Sequence, residues 1–143
     1  MPDDVTALLW ADDDGRGSLD SLGRRLQRNR FALERAVDYC EAVEKLRYSR
    51  FDALLLDIIL PFAQGTGALE FDLGIRLADE APGISASVHN IAFLTVVQAQ
   101  EVNDKYEAIE TKYGERVKFH YFDKTRLLEP NYLNQMMQFL RQR

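Results

Sequence analysis

Cysteine is nearly absent from this chain: Cys40 is the only one among 143 residues. A single thiol excludes an internal disulfide and fits a reducing compartment. The first residues are not expected to be a secretory leader. Met1-Pro2-Asp3-Asp4 opens the chain with acids, where a signal peptide needs a positive region followed by an apolar one. No apolar run is long enough to span a bilayer. These absences predict a cytoplasmic protein with no membrane partner. Positive charge is in deficit, with a formal net charge of −5. That argues against direct electrostatic binding of nucleic acid. The two histidines, His89 and His120, have no metal-ligand spacing with each other or with Cys40. They are expected to be structural or exposed. No glycine-rich loop follows the first apolar run, which disfavours a nucleotide-binding phosphate cradle. Internal repeats and low-complexity tracts are also lacking, and nothing marks a second domain.

What is present is one domain of ordinary globular composition, 46% apolar and 29% charged. Strand-like runs at residues 5–11, 31–36, 51–60, 91–97 and 117–122 alternate with helix-like segments. The run 84–88 is a further short candidate inside a polar stretch. Alternation of this kind predicts a parallel α/β sheet. Glu34 and Arg35 interrupt the second strand, which suits an edge. Gly15-Arg16-Gly17-Ser18 breaks the first strand and can cap a helix, in which Leu19, Leu22 and Leu26 recur at helical spacing. Arg24, Arg25, Arg28 and Arg30 read as a solvated face. Asp38 is a candidate cap for a helix with Ala42, Val43 and Leu46 buried. Cys40 falls near that stripe and reads as inert core, and Trp10 also reads as core. Pro61 ends the third strand, and Phe62-Ala63-Gln64-Gly65-Thr66-Gly67 reads as a loop. A helix at 68–81, with Leu69, Leu73 and Leu77 on one face, is expected to stop at Pro82-Gly83. Helices at 101–113, closed by Gly114, and at 130–143 complete the chain.

The chemistry gathers at strand ends. Leu8-Leu9-Trp10-Ala11 runs into Asp12-Asp13-Asp14, and Leu54-Leu55-Leu56 runs into Asp57. The fourth strand carries Thr95 near its end, and the fifth leads into Lys124. In an open parallel sheet these ends share one edge, where ligands bind. Adjacent carboxylates repel, and a hard divalent cation such as Mg²⁺ relieves that through oxygen ligands. An acid pair, a single acid, a hydroxyl and an ammonium suit a metal and a phosphoryl group together. Asp57 is the best nucleophile, since carboxylates form aspartyl-phosphate in some phosphoryl-transfer proteins.

These segments resemble the receiver domains of response regulators, the phosphoacceptors of two-component signalling. The resemblance rests on Asp12-Asp13, on Asp57-Ile58-Ile59-Leu60-Pro61 with proline four residues after the acid, on Phe93-Leu94-Thr95, and on Tyr121-Phe122-Asp123-Lys124. It covers nearly the whole chain. It implies a flavodoxin-like, doubly wound sheet of five parallel strands in the order 2-1-3-4-5, flanked by five helices. It implies that Asp57 is phosphorylated, and that Asp13 holds Mg²⁺ directly while Asp12 acts largely through water. Asp57 and the backbone carbonyl of Ile59 complete the protein's metal ligands, and Mn²⁺ or Ca²⁺ can substitute. By the same resemblance Lys124 pairs with Asp57 and later with a phosphoryl oxygen. Thr95 moves toward the phosphoryl group, and Tyr121 turns inward behind it. A histidine kinase or phosphotransfer protein would be the donor, and an unknown downstream protein the target. A homodimer is compatible with this picture. The sequence stops just after the fifth helix, so a single receiver domain over residues 1–143 without an output domain is expected.

Several positions depart from the family. Thr125 follows Lys124, where a cis proline is usual. Val96 follows Thr95, where a small residue is usual. Ile59 and Val97 occupy the two positions that tune dephosphorylation, and neither can orient water by hydrogen bonding. Slow loss of the phosphoryl group is the expectation. The stretch from Asp57 to Thr95 is long, with the extra residues expected in 62–67, in 84–90 or in both. Two other readings compete. One is a receiver-like interaction module that is not phosphorylated. The other is a metal-dependent phosphohydrolase of the haloacid-dehalogenase type, disfavoured because Ile59 stands where that chemistry needs a second acid.

Overall fold

The structure is a computed structural model that describes residues 5–12, 20–63, 73–95, 99–127 and 129–142. Five strands alternate with five helices. They are β1 Thr6–Ala11, α1 Asp20–Arg28, β2 Phe31–Ala36, α2 Tyr39–Tyr48, β3 Ala53–Leu56, α3 Leu73–Ile84, β4 Asn90–Thr95, α4 Ala99–Tyr113, β5 Lys118–Asp123 and α5 Pro130–Leu140. All pairings are parallel, in the order β2-β1-β3-β4-β5. The edge position expected for β2 is correct, and its burial shows why. Phe31 and Ala36 at its ends are buried, while Ala32 and Glu34 are exposed and Leu33 and Arg35 are half-covered.

Strand pleating splits the core in two, because successive side chains point to opposite faces. Leu9, Leu54 and Phe93 pack toward Leu46, Leu77 and Ile109. Leu8, Trp10 and Leu55 pack toward Leu26, Met136 and Leu140 on the other face. Trp10 is fully buried, as expected for core. Burial of the central strands on both faces explains why they read as continuous apolar runs rather than alternating ones.

Several boundaries differ from the sequence expectation. The third strand was expected over residues 51–60, but the ladder covers only Ala53–Leu56. Ile58 and Leu60 are fully buried, yet their segment pairs elsewhere. The Ile58 carbonyl accepts from the Gly74 amide at 2.9 Å, and the Pro61 and Phe62 carbonyls accept from Tyr39 and Cys40. Buried backbone must find partners, and a helix N-terminus offers amides as readily as a strand does. Pro82 does not stop α3. It sits buried inside the last turn, and the helix runs on to Ile84. Its missing amide removes a single bond there, while Ser85 still donates to the Ala81 carbonyl at 2.8 Å. The start expected at residue 68, like Gly15 to Ser18, lies outside the described residues. Residues 84–88 form no strand; they turn tightly, with Val88 donating to Ser85. α5 ends at Leu140 rather than at the chain end. Asp38 caps α2 as predicted, accepting from the Glu41 amide at 2.7 Å. Gly114 closes α4 with φ +57°, a conformation that favours glycine. Cys40 is exposed rather than core, because it lies in the first turn of α2 beside the apolar stripe and not within it.

Candidate functional site

Strand register decides what meets at the C-terminal edge. Ala11 pairs with Leu56, and Leu56 pairs with Phe93. Asp12 and Asp57 therefore step off the sheet side by side. Asp12 keeps its amide on the Ala36 carbonyl and Asp57 keeps its own on Ala11, each at 3.0 Å. Thr95 pairs with Asp123, so Lys124 leaves β5 beside the end of β4.

The side chains converge on Asp57. Thr95, fully buried, donates its hydroxyl to Asp57 Oδ1 at 2.8 Å. The Ile59 amide donates to the same oxygen at 3.2 Å. Lys124 Nζ donates to Asp57 Oδ2 at 2.9 Å and to Asp12 Oδ2 at 2.8 Å. One ammonium is thus shared by two carboxylates that are nearly out of solvent, with side-chain exposures of 2% for Asp12 and 10% for Asp57. Burial alone would pull the Lys124 ammonium down. Its hydrogen bonds to Asp12 and Asp57, and the charges of both, outweigh that and hold its pKa above the ordinary lysine value.

The loop after Asp57 is fixed from two sides. Gly74, in the first turn of α3, approaches so closely that a Cβ on it would lie 1.9 Å from the Asp57 carbonyl oxygen. From the other side, Tyr39 stacks on Phe62 with ring centroids 5.6 Å apart, and its hydroxyl donates to Glu80. Burial, then the bond to Glu80, pushes the Tyr39 phenol up to about 12. Neither Gly74 nor Tyr39 stood out in the sequence. The glycine carries no signal without knowledge of what it faces.

Of the predicted site residues, Asp12, Asp57, Thr95, Lys124 and Ile59 come together. Tyr121 is half-buried on β5 and packs against the core that contains Phe93 and Ile109. Asp13, Asp14, Val96 and Val97 lie outside the described residues. Thr125, the departure from the family's proline, makes its own local structure. Its amide and hydroxyl both donate to Asp123 Oδ1, at 2.9 and 2.6 Å, capping a 3-10 turn over Lys124–Arg126. Proline has no amide to give that bond. The turn directly follows β5, so it helps fix where Lys124 begins.

Oxygen donors dominate the pocket, which fits a hard cation such as Mg²⁺. Among the described residues, no three His, Cys, Asp or Glu side chains group closely enough to hold a metal. The pair Asp12 and Asp57 is the described part of such a site, and one or two carboxylates commonly suffice for Mg²⁺ when water completes the shell. The histidines stand apart from it. His89 sets its ring nitrogens against the Ser87 and Gln142 carbonyls at 3.0 and 2.8 Å. His120 lies against the rings of Phe122 and Phe139. Lost hydration there pushes its imidazolium pKa down, with Glu110 acting against the shift. Met136 and Met137 are buried against the sheet, and Tyr132 and Phe139 are half-buried. Among the described residues no helix is long and apolar enough to cross a membrane.

Sheet order and helix count define the CheY-like, flavodoxin-like fold of response-regulator receiver domains. Among solved structures the chain is similar to the chemotaxis protein CheY4 of Vibrio cholerae, at 19% identity over 96% of this chain and 99% of that one, with a TM-score of 0.69. It is similar to the signal receiver domain of a modulated diguanylate cyclase from Desulfovibrio desulfuricans G20, at 22% identity over 96% and 94%, TM-score 0.67. A third is a response regulator from Burkholderia pseudomallei with a phosphorylated aspartic acid, calcium ion and citrate, at 17% identity over 93% and 72%, TM-score 0.60. No family model and no curated protein matches the chain. Identities this low establish the fold alone.

Proposed function

We propose that this chain is a phosphoacceptor receiver that takes a phosphoryl group on Asp57 from a histidine kinase or phosphotransfer protein and signals by protein contact. The observation that carries the reading is the Asp57 carboxylate held between the Thr95 hydroxyl and the Lys124 ammonium, with Asp12 on the same ammonium. A carboxylate oxygen of Asp57 forms the new bond to phosphorus as the donor's P–N bond breaks, and the electron pair leaves with the donor imidazole. Lys124 and Thr95 then find phosphoryl oxygens where they now find carboxylate oxygens. Donors already aimed at the site need little reorganisation to stabilise the charge that develops. Asp12, Asp13, Asp57 and the Ile59 carbonyl are the residues that would hold Mg²⁺. When bound, the ion supplies positive charge against the phosphoryl oxygens. The Burkholderia relative, with its phosphorylated aspartic acid and calcium ion, supports an acid pocket of this kind.

Leaving Asp57 for the phosphoryl group, Thr95 would vacate its present position, and Tyr121 would follow into it. Two packings of similar energy, biased by added charge, make such a switch. α4, β5 and α5 form the face that would report it, with Tyr132 and Phe139 as half-covered apolar groups there. The function is signalling rather than turnover, and the chain catalyses only its own modification.

Acetyl phosphate with Mg²⁺ provides the test. Intact-mass spectrometry is expected to show the gain of one phosphoryl group, mapped to Asp57 after borohydride trapping, and no gain in the presence of EDTA. With Ile59 in the tuning position, the modification is expected to persist well beyond the lifetime seen in fast-cycling receivers. An unmodified chain under these conditions would leave only a receiver-fold contact module.

A further inference from the structure

A second feature stands apart from the Asp57 pocket. A groove of about 390 Å³ lies between α3 and α4. From α3 it is lined by Ile75, Arg76 and Asp79. From α4 it is lined by Lys105, Ala108, Ile109 and Lys112, a stripe at i, i+3, i+4 and i+7. Ile75 and Ile109 are almost fully buried and form the floor. Ala108 is exposed between the two lysines and leaves room for an incoming side chain. The described walls carry three cations against one carboxylate, and Asp79 already accepts from Lys112 at 2.9 Å.

We propose that this groove docks an acidic amphipathic helix of a partner protein. The spacing of the cations selects that occupant. Lys105 and Lys112 are two turns apart, roughly 10 Å along the axis. They suit two separated carboxylates, one at each end of the groove, better than a single small anion. A partner helix with Glu at i and i+7 reaches both lysines, and apolar residues at i+3 and i+4 fall over Ala108 and the isoleucine floor. Arg76, on the opposite wall, presents a planar fork that matches a carboxylate. Arg76 and Lys112 hold Glu80 and Asp79 in this structure, at 3.5 and 2.9 Å, and Lys105 also has a partner of its own. Docking therefore exchanges existing surface pairs for new ones, so binding is weak and falls with salt. The proposal does not depend on phosphorylation of Asp57.

The probe is a capped synthetic helix of about fifteen residues with Glu at i and i+7, Leu at i+3 and i+4, and Ala, Gln and Lys elsewhere. The readout is NMR of the whole chain. Saturable shifts of the Ile75 and Ile109 methyls and the Ala108 amide are expected. The double variant Lys105→Glu, Lys112→Glu is expected to bind at least about tenfold more weakly, with its fold checked by circular dichroism. A peptide with both Glu changed to Gln should weaken comparably and serves as the arm that leaves the protein unaltered. No saturable shift, equal binding by the Gln peptide, or shifts confined to β5 and α5 would overturn the proposal. Inorganic phosphate giving the same saturable shifts would also overturn it, by making the groove a simple anion site.

Discussion

Gly74→Ala is expected to cost about 3 kcal/mol of stability, at the upper end of what overpacking a well-filled interior does, and to lower the melting temperature by about 10 °C. The added Cβ would meet the Asp57 carbonyl oxygen at 1.9 Å, the Ile58 Cα at 2.7 Å and the Asp57 carbonyl carbon at 2.8 Å. All three are backbone atoms, so no rotamer change relieves the contact. The first turn of α3 must retreat by more than an ångström. That stretches the 2.9 Å bond from the Gly74 amide to the Ile58 carbonyl and loosens Leu73, Ile75 and Leu77 in the core. Gly83, in the last turn of the same helix, is the control. A Cβ there meets nothing within 4 Å, and its φ is not in the left-handed range. Gly83→Ala is expected to be neutral or to stabilise by roughly 0.5 kcal/mol through the unfolded state. Urea denaturation of both variants is the measurement, and equal midpoints would sink the close-approach argument. Because the clash falls on the Asp57 backbone, phosphorylation of the alanine variant is also expected to slow, by roughly 10²-fold if the carboxylate moves by about 1 Å.

The same contact shows where sequence reasoning runs out. Five strands and the edge role of β2 followed from apolar runs and their interruptions, since burial on two faces leaves a compositional mark, while the strand order came from the resemblance to receiver domains. Asp12, Asp57, Thr95 and Lys124 were legible because each follows or ends an apolar run, and parallel pairing brings run ends to one edge. The residues that fix their geometry left no such mark. Ile58 and Leu60 look like strand in composition but sit in a buried loop, whose backbone bonds go to the N-termini of α2 and α3. Apolar character reports burial, not the identity of the hydrogen-bond partner. Pro82 read as a stop because proline usually ends helices, yet in the last turn it forfeits only one bond and fills core space. Cys40 lies near the Ala42 and Leu46 stripe, but nearness to a stripe does not bury a side chain, and the thiol is exposed. Thr125 was seen as a missing proline, whereas its amide caps the turn that carries Lys124.

Lys124→Met should be the most informative single change at the site. Its ammonium is the shared partner of two carboxylates, at 2.8 and 2.9 Å, both nearly excluded from water. Removing one partner from a buried ion pair costs about 3–5 kcal/mol when the remaining charge stays uncompensated. Part of that is avoided here, because Asp57 keeps the Thr95 hydroxyl and the Ile59 amide as donors. A loss of roughly 2–3 kcal/mol in EDTA is therefore expected from urea denaturation. Mg²⁺ should reverse much of it. Without the ammonium between Asp12 and Asp57, a divalent cation meets two uncompensated carboxylates and binds at least about tenfold more tightly, worth about 1.4 kcal/mol at saturating metal. The wild-type chain, whose carboxylates already hold a cation, should gain less from the same Mg²⁺ concentration. Phosphorylation by acetyl phosphate should nevertheless fall sharply in the variant, because the metal restores charge but not the donor aimed at the phosphoryl oxygen. Equal Mg²⁺ stabilisation of the two proteins would place the cation away from Asp12 and Asp57. Undiminished phosphorylation would remove Lys124 from the chemistry and leave it as a structural counter-ion.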